Sequence, residues 1–157
     1  MCMNVLERLL QENFDEWDQL VADYEQTNRS LKVPPVEKTA LHHFNVRVEE
    51  EYTKALYDFG RARRNKDAIQ RLIKNVLEDY YKGPNDQARR AAGIQYAKNY
   101  PAPDNYPAPT VNLFDLEDRF LGYYYMMEAT VKSLQAKADA RITNNSLLNI
   151  ESNIITN

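Results

Sequence analysis

The chain has 157 residues, of which 43% are hydrophobic and 27% are charged, and its net charge at pH 7 is −3. This length is typical of one domain that can bury a core. No run of about 18 apolar residues occurs and no secretory signal opens the chain, so we predict no membrane contact. The one cysteine, Cys2, cannot form an internal disulfide, which fits a cytoplasmic location.

The glycine and proline content predicts helices. Only 4 glycines occur, against a usual frequency of about 7%. The 7 prolines are clustered, and because proline breaks helix interiors, helices are expected in the long proline-free stretches. We predict an all-α fold: a long helical hairpin with coiled-coil-like heptads, an N-terminal helix and a short C-terminal helix, which oligomerises.

Residues 4–27 are predicted to form an acidic amphipathic helix. Apolar side chains recur at steps of three and four, at Leu6, Leu10, Phe14, Trp17, Val21 and Tyr24. The acidic opposite face is most simply a solvated surface. We assign residues 1–35 to this helix and a linker, and residues 36–157 to a hairpin and oligomerisation domain.

A long helix is predicted from residue 36 to about residue 82, where no proline occurs. Its apolar stripe advances by alternating steps of three and four residues and becomes a heptad, which favours supercoiling against a partner helix. The stripe comprises Leu41, Phe44, Val48, Tyr52, Ala55, Phe59, Ala62, Lys66, Ile69, Ile73, Val76 and Tyr80. The helix would span roughly 70 Å, which suggests either a hairpin or an oligomer whose copies share this seam.

Gly83 and Pro84 are predicted to end the long helix. A short helix is expected over residues 87–99, and the proline-rich residues 99–110 are expected to form an extended connection with no folded element. A further helix is predicted from about residue 112 to 142, antiparallel to the C-terminal half of the long helix. Its stripe is Leu116, Phe120, Tyr123, Met127, Val131, Leu134, Ala138 and Ile142. A break at residues 143–146 then precedes a short final helix.

The sequence offers little catalytic or metal-binding chemistry. Its scattered glycines form neither a P-loop nor a dinucleotide fingerprint. His42 and His43 are adjacent, so on a helix their side chains diverge by about 100° and do not share one metal ion. An enzyme built on a helical-bundle pocket would need inward carboxylates or histidines, which the stripes lack. We therefore predict a protein that is not an enzyme, with no catalytic residue, metal or cofactor.

The charges are distributed unevenly along the chain. Residues 1–60 hold 6 Lys/Arg and 12 Asp/Glu, whereas residues 61–100 hold 10 and 4. Cations interleaved with tyrosines are typical of surfaces that contact the phosphates and stack the bases of single-stranded nucleic acid. The predicted nucleic-acid-binding residues are Arg61, Arg64, Arg71, Lys74, Tyr81, Lys82, Arg89 and Arg90, with Tyr80 as a further stacking candidate. The alternative is that the acidic N-terminal segment docks on this basic segment and neutralises it.

The stretch from Leu41 to the end resembles the UvsY-like family of phage recombination mediators. The likeness lies in the end of the long helix, VLEDYYKG at residues 76–83, and in the junction ITNN at residues 142–145 before a final helix. The family carries basic residues for DNA binding at two positions that are Asn75 and Leu77 here, and the nearest cations are Lys74 and Arg71.

The resemblance implies a homo-oligomer, in the form of a ring or bundle, that binds single-stranded DNA. It would help a RecA-type recombinase to replace a single-strand-binding protein in the cytoplasm of a phage-infected bacterium. The alternative is a structural or assembly coiled-coil protein of a phage particle or packaging machine. That alternative predicts the same helices, with the cations from Arg61 to Lys74 neutralised by acidic residues of a neighbouring copy.

Overall fold

The computed structural model describes residues 4–35, 37–79 and 83–155. In chain order they form helices α1 (Val5–Leu10), α2 (Phe14–Ser30), α3 (Lys38–Asp79) and α4 (Asp86–Lys98), strands β1 (Tyr100–Pro101) and β2 (Thr110–Val111), and helix α5 (Leu113–Ile155). The prediction of a mostly helical, all-α fold is confirmed. Across these described ranges, no helix combines the length and the hydropathy that crossing a bilayer requires.

The chain forms two compact units, each built from segments that are distant in sequence. Unit 1 comprises Met1–Asp15 and Arg61–Tyr124, and unit 2 comprises Glu16–Gly60 and Tyr125–Asn157. The long helices α3 and α5 each contribute residues to both units. Each unit is described separately below.

The acidic N-terminal segment forms two helices, where the sequence predicts one over residues 4–27. Helix α1 begins with a capping box in which Asn4 Oδ1 accepts from the N–H of Leu6 and Glu7 Oε2 accepts from the N–H of Asn4. Helix α2 has its own start, because Asn13 Oδ1 accepts from the N–H of Asp15 at 3.0 Å. A side-chain oxygen that satisfies a first-turn N–H favours a new helix start over continuation. The apolar period continues across the break, which is why periodicity alone predicts one helix.

Most of the predicted seam of the long helix is buried within the chain, whereas Tyr52, Phe59 and Lys66 are half-buried. Its most covered members are 0% or 1% exposed: Leu41, Val48 and Ala55 in unit 2, and Ala62 and Ile69 in unit 1. Other elements of the same chain therefore cover these residues, which are not left open for a second copy. Tyr80, the last predicted member of the seam, lies outside the described residues.

The connection between α3 and α5 is more ordered than the sequence predicts. The short helix is confirmed at Asp86–Lys98, and Asn85 Oδ1 caps it by accepting from the N–H of Ala88 at 2.8 Å. The expectation that residues 99–110 contain no folded element is wrong, because β1 and β2 pair antiparallel in this segment. The N–H of Ala102 extends this pairing by donating to the carbonyl of Pro109. The alternating prolines leave enough N–H groups for one short hairpin.

Helix α5 begins at Leu113, as predicted, but continues to Ile155 without the predicted break at residues 143–146. Asparagine, threonine and serine cost only a few tenths of a kcal/mol each in a helix interior. Because neither glycine nor proline occurs from residue 143 to 155, the backbone hydrogen bonds continue through this polar stretch. The separate short C-terminal helix that the sequence predicts is therefore the last part of α5.

The core of unit 1 contains an aromatic cluster. The ring of Phe14 lies 5.6 Å from that of Phe120 and 6.2 Å from that of Tyr123, and the Tyr123 hydroxyl donates to the Phe14 carbonyl. Lys66, the polar member of the seam, places its ammonium 4.4 Å from the centre of the Tyr124 ring. It also pairs with Asp67 at 3.0 Å. The charge in the seam is thus stabilised by a carboxylate and an aromatic face.

Helix α5 runs antiparallel to α3 in unit 1, as predicted. Lys66 of α3 meets Tyr124 of α5. One groove further along α3 is bordered by Ile73 and by Phe114 of α5. Residue numbers therefore rise along one helix as they fall along the other, and the start of α5 lies beside the end of α3.

In unit 2, the polar contacts of Asn28 and Tyr24 join α2 to its neighbours. Lys137 and Ser133 of α5 both donate to Asn28, with Lys137 Nζ 2.7 Å from Asn28 Oδ1. Burial lowers the pKa of Lys137. The hydroxyl of Tyr24 donates to Asp58 Oδ2 of α3 at 2.6 Å, while the Tyr24 ring is 3% exposed. These contacts fix the packing of α2 against both long helices.

Replacing Tyr24 with phenylalanine is expected to lower the free energy of unfolding by about 1–2 kcal/mol at pH 7, because the Asp58 carboxylate loses its donor. Burial, and then the bond to Asp58, raise the pKa of the Tyr24 hydroxyl. The folded state therefore holds this proton more tightly than the unfolded chain does. The stability that Tyr24 gains from holding its proton is fully present below about pH 10, and it is lost as the pH rises further.

Urea unfolding of the wild type and of Tyr24→Phe, from neutral pH to about pH 11, measures both effects. The variant should lose less stability than the wild type above pH of about 10. Tyr57→Phe is the matched control, because its side chain is 80% exposed and it should resemble the wild type throughout. Equal behaviour of the two variants would contradict the role assigned to Tyr24.

Candidate nucleic-acid interface

The structure separates the predicted nucleic-acid-binding residues into distinct groups within unit 1. Two of them, Tyr81 and Lys82, lie outside the described residues, as does Tyr80. Lys74 and Arg90 border one groove, whereas Arg61 and Arg64 border a different pocket. Arg71 and Arg89 border neither. The basic segment is therefore not one continuous surface, although it is continuous in sequence.

The basic groove lies between the C-terminal part of α3, helix α4 and the start of α5, and its volume is about 730 Å³. Its rim carries the cations Lys74, Arg90 and Lys98, together with Gln70 and Glu78, and its floor is apolar and made of Ile73, Leu77, Ile94 and Phe114. An apolar floor beneath several cations suits a ligand that is both anionic and partly apolar.

Helix α4 lies close against α3 because a glycine faces the contact. Gly93 is buried, and a Cβ at this position would lie 3.2 Å from Leu77 Cδ2. Without a side chain at Gly93 the two backbones approach closely. Arg90, Ile94 and Lys98 occupy positions i, i+4 and i+8 of α4 and so share one face of that helix. The close contact brings this face to the groove.

The three cations of the groove differ in their partners. Lys74 Nζ lies 3.9 Å from Glu78 Oε1, and both side chains are largely exposed, so solvent weakens this pair. Neither Arg90 nor Lys98 forms an ion pair or a side-chain hydrogen bond to any other described residue. Their charges are therefore available to an anionic ligand without the loss of a contact within the described part of the molecule.

Lys98 lies in the basic segment but is not among the residues predicted to bind nucleic acid, and none of the four floor residues is predicted there either. The four-residue spacing of Arg90, Ile94 and Lys98 places all three on one face of α4, and this spacing is the sequence signal for the part of the groove that α4 supplies. No signal in the sequence identifies Phe114, because its position in the groove depends on how the chain returns after the β1–β2 hairpin.

Arg71 and Arg89 make contacts that support local structure. Arg71 is exposed, and its Nε donates to the carbonyl of Asp67 one turn earlier in α3. Arg89 Nε donates to the carbonyl of Gly83 at 2.8 Å, and its Nη1 lies 3.8 Å from Asp86. Arg89 thereby joins the start of α4 to the turn before it, where Gly83 has a φ of 157°.

Arg61 shows that part of the basic segment is neutralised inside the chain. Its Nε and Nη2 both donate to Glu12 Oε2, at 3.1 and 2.6 Å. The predicted alternative, in which the acidic N-terminal segment docks on the basic segment, therefore holds at this pair. Arg64, three residues further along α3, is exposed and forms no ion pair with any described residue.

Within the ranges that the structure describes, no group of three or more His, Cys, Asp or Glu side chains is arranged to hold a metal ion. The chain matches no known protein family, no curated protein and no solved structure. The basic groove is accordingly interpreted from its own geometry and charge, and the resemblance to UvsY-like proteins stays a hypothesis.

Proposed function

We propose that this chain is a non-enzymatic protein that binds single-stranded DNA along the basic groove. The observation that carries the proposal is the convergence of Lys74, Arg90 and Lys98, from two different helices, on one apolar groove. Phosphates would contact the cations of the rim, and bases would contact the floor. Single strands fit this arrangement better than duplexes, because a duplex keeps its bases stacked away from an apolar surface.

The dimensions of the rim are consistent with a short run of nucleotides. Arg90 and Lys98 are eight residues apart on α4, which corresponds to about 12 Å of helix. Stacked nucleotides in one strand advance by about 3.4 Å each, so this distance spans roughly three of them. Phe114 is half-buried on the floor, where its exposed part offers an aromatic surface for a base.

We extend the proposal to a mediator role of the UvsY type. An oligomer would repeat the groove and increase the overall affinity through avidity. Such an assembly would help a RecA-type recombinase to replace a single-strand-binding protein on DNA. The sequence resemblance supports this extension, and the basic groove supplies its DNA-binding step.

One surface of unit 2 supports the oligomer. Val46 and Tyr57 lie eleven residues apart on α3, on one face of the helix, and they are 42% and 80% exposed. The surface between them carries Glu49, Glu50, Thr53 and Lys54, so another chain would contact these two apolar side chains together with charged ones. Since the heptad seam is already buried, this second face of α3 is the surface that an assembly would use. It equally supports the alternative, a structural coiled-coil protein without DNA binding.

Fluorescence titration of a labelled single-stranded oligonucleotide at about 50 and about 200 mM salt tests the DNA-binding proposal. With three phosphate contacts, the logarithm of the affinity should fall with a slope of about −2 against that of the salt concentration, which is about a twentyfold loss between these conditions. The matching duplex should bind more weakly. Oligomeric mass is measured on the same samples by analytical ultracentrifugation.

Two results would overturn the proposal: no binding at low salt by the folded protein, or binding that does not depend on salt. An oligomer that fails to bind DNA would favour the structural alternative. A monomer that binds DNA would remove the avidity argument and leave only the DNA-binding step.

A further inference from the structure

A second site candidate lies in unit 1, where α1 meets the part of α3 that follows Gly60. We name it the arginine pocket. It has a volume of about 330 Å³ and is lined by Arg8, Gln11, Glu12, Arg61, Arg64 and Asn65. None of these residues lines the basic groove. Arg64 and Lys74 are ten residues apart on α3, which separates the two sites by about 15 Å along that helix.

The charge of the arginine pocket is unbalanced. Three guanidinium groups, on Arg8, Arg61 and Arg64, face one carboxylate, on Glu12. That carboxylate already accepts both hydrogen bonds from Arg61. The pocket therefore keeps a net charge of +2. Burial, and then the nearby charge of Arg64, lower the pKa of Arg8, whereas the charge of Glu12 raises it.

Asn65 fixes the position of Arg8 at the pocket. It is 0% exposed, and its Oδ1 accepts from Arg8 Nη1 at 3.0 Å. Because a guanidinium only donates, the amide oxygen must face Arg8, and this fixes the orientation of the amide group. The Nδ2 group is buried and has no hydrogen-bond partner in the described part of the chain. A buried donor without an acceptor is unfavourable, and the bond that the amide oxygen accepts from Arg8 offsets part of this cost.

We infer that the arginine pocket binds an oxyanion of the phosphate class through Arg8 and Arg64, with Arg8 held in place by the amide oxygen of Asn65. A phosphate dianion would balance the two uncompensated positive charges, whereas a single carboxylate would balance one. Guanidinium groups bind phosphate oxygens in a bidentate manner, and phosphate has enough oxygens for several donors at once. This site does not depend on DNA binding at the basic groove.

Isothermal titration calorimetry with inorganic phosphate, at an ionic strength held constant with sodium chloride, tests the inference. The wild type should bind phosphate and should melt at a higher temperature in phosphate than in chloride. Arg64→Gln should raise the Kd for phosphate about tenfold or more, because a charge-assisted contact is lost. This substitution is on an exposed side chain and should leave the fold intact.

Arg63→Gln is the matched control. Arg63 precedes Arg64 on the same helix, carries the same charge and is 66% exposed, but it faces Asp67 and does not line the pocket. It should bind phosphate like the wild type. If the wild type does not bind phosphate, the inference is wrong. It is also wrong if Arg63→Gln and Arg64→Gln lose the same affinity for phosphate, because that would indicate only a nonspecific charge effect.

Asn65→Asp provides a second, independent test. The new carboxylate would lie beside Arg8 and supply an internal anion, so the increase in melting temperature caused by phosphate should be lost while the protein remains folded by circular dichroism. An unchanged response to phosphate in this folded variant would also overturn the inference.

The phosphate could come from a free anion or from the end of a nucleic acid. Oligonucleotides with a 5′-phosphate or a 5′-hydroxyl distinguish these sources. Tighter binding of the phosphorylated strand by the wild type, but not by Arg64→Gln, would identify the nucleic-acid end. Equal binding of the two strands, with inorganic phosphate still bound in the pocket, would identify a free anion.

Discussion

Replacing both Lys74 and Arg90 with glutamine is expected to weaken binding of single-stranded DNA by about 25-fold at about 0.1 M salt, and to reduce the salt slope by about 1.4. Each of these cations would neutralise one phosphate, and each neutralised phosphate contributes about 0.7 to the slope on a single strand. Both side chains are exposed at the rim of the groove, so the substitutions should not change the fold. Fluorescence titration at several salt concentrations measures both quantities.

The matched control for this pair is Arg29→Gln with Lys132→Gln, in unit 2. Like Lys74, each of these residues has an exposed side chain and an ion-pair partner one helical turn away, at Glu25 and Glu128. The control removes the same net charge without touching the groove, so it should bind DNA nearly as the wild type does. If both double variants lose affinity equally, the binding is a general charge effect and the groove is not the site.

Replacing Phe120 with alanine is expected to destabilise the folded protein by about 3–5 kcal/mol, because a large buried ring is removed and a cavity remains. Phe120 is 1% exposed and its ring lies 5.6 Å from Phe14, so the substitution removes one side of the aromatic cluster of unit 1. Phe14 and Arg119, whose guanidinium lies 4.7 Å from the centre of the Phe14 ring, would lose the support of that neighbour.

Chemical denaturation monitored by circular dichroism measures this loss as a lower midpoint with an unchanged slope. Tyr125→Ala is the control, because Tyr125 is an aromatic residue of the same helix that is 59% exposed, and its removal should change the free energy of unfolding by less than about 0.5 kcal/mol. If Phe120→Ala costs no more than Tyr125→Ala, the packing described for unit 1 is incorrect.

The buried faces of the long helices are largely predictable because they depend on a local period. The spacing of Phe120, Met127 and Leu134 predicts one stripe of α5, and each is almost fully buried. The same argument correctly placed Ala62 and Ile69 on the inner face of α3. Asn65 was missed, because a polar residue carries no hydrophobic signal and becomes buried only when α1 covers it.

Helix boundaries were less predictable, because they depend on individual polar side chains. Asn13 starts a new helix through one hydrogen bond to the N–H of Asp15, although the apolar period does not change there. The polar stretch at residues 143–146 predicts a break, yet α5 continues through it. An asparagine can cap a helix or be accommodated within one, and its sequence neighbours alone do not distinguish the two outcomes.

The sequence by itself determined the all-α character, the inner faces of α3 and α5, and the presence of a basic segment at residues 61–100, because periodicity and composition are properties of the chain. Only the tertiary structure decided which charges act together. Arg61 is paired with Glu12, which is 49 positions away in the chain. Lys74 lines one groove with Arg90 and Lys98, because Gly93 allows α4 to lie close against α3. Electrostatic interactions fall off with distance in space rather than in sequence, so the packing of the helices divided one basic segment into a basic groove and an arginine pocket, within which Arg61 is paired with Glu12.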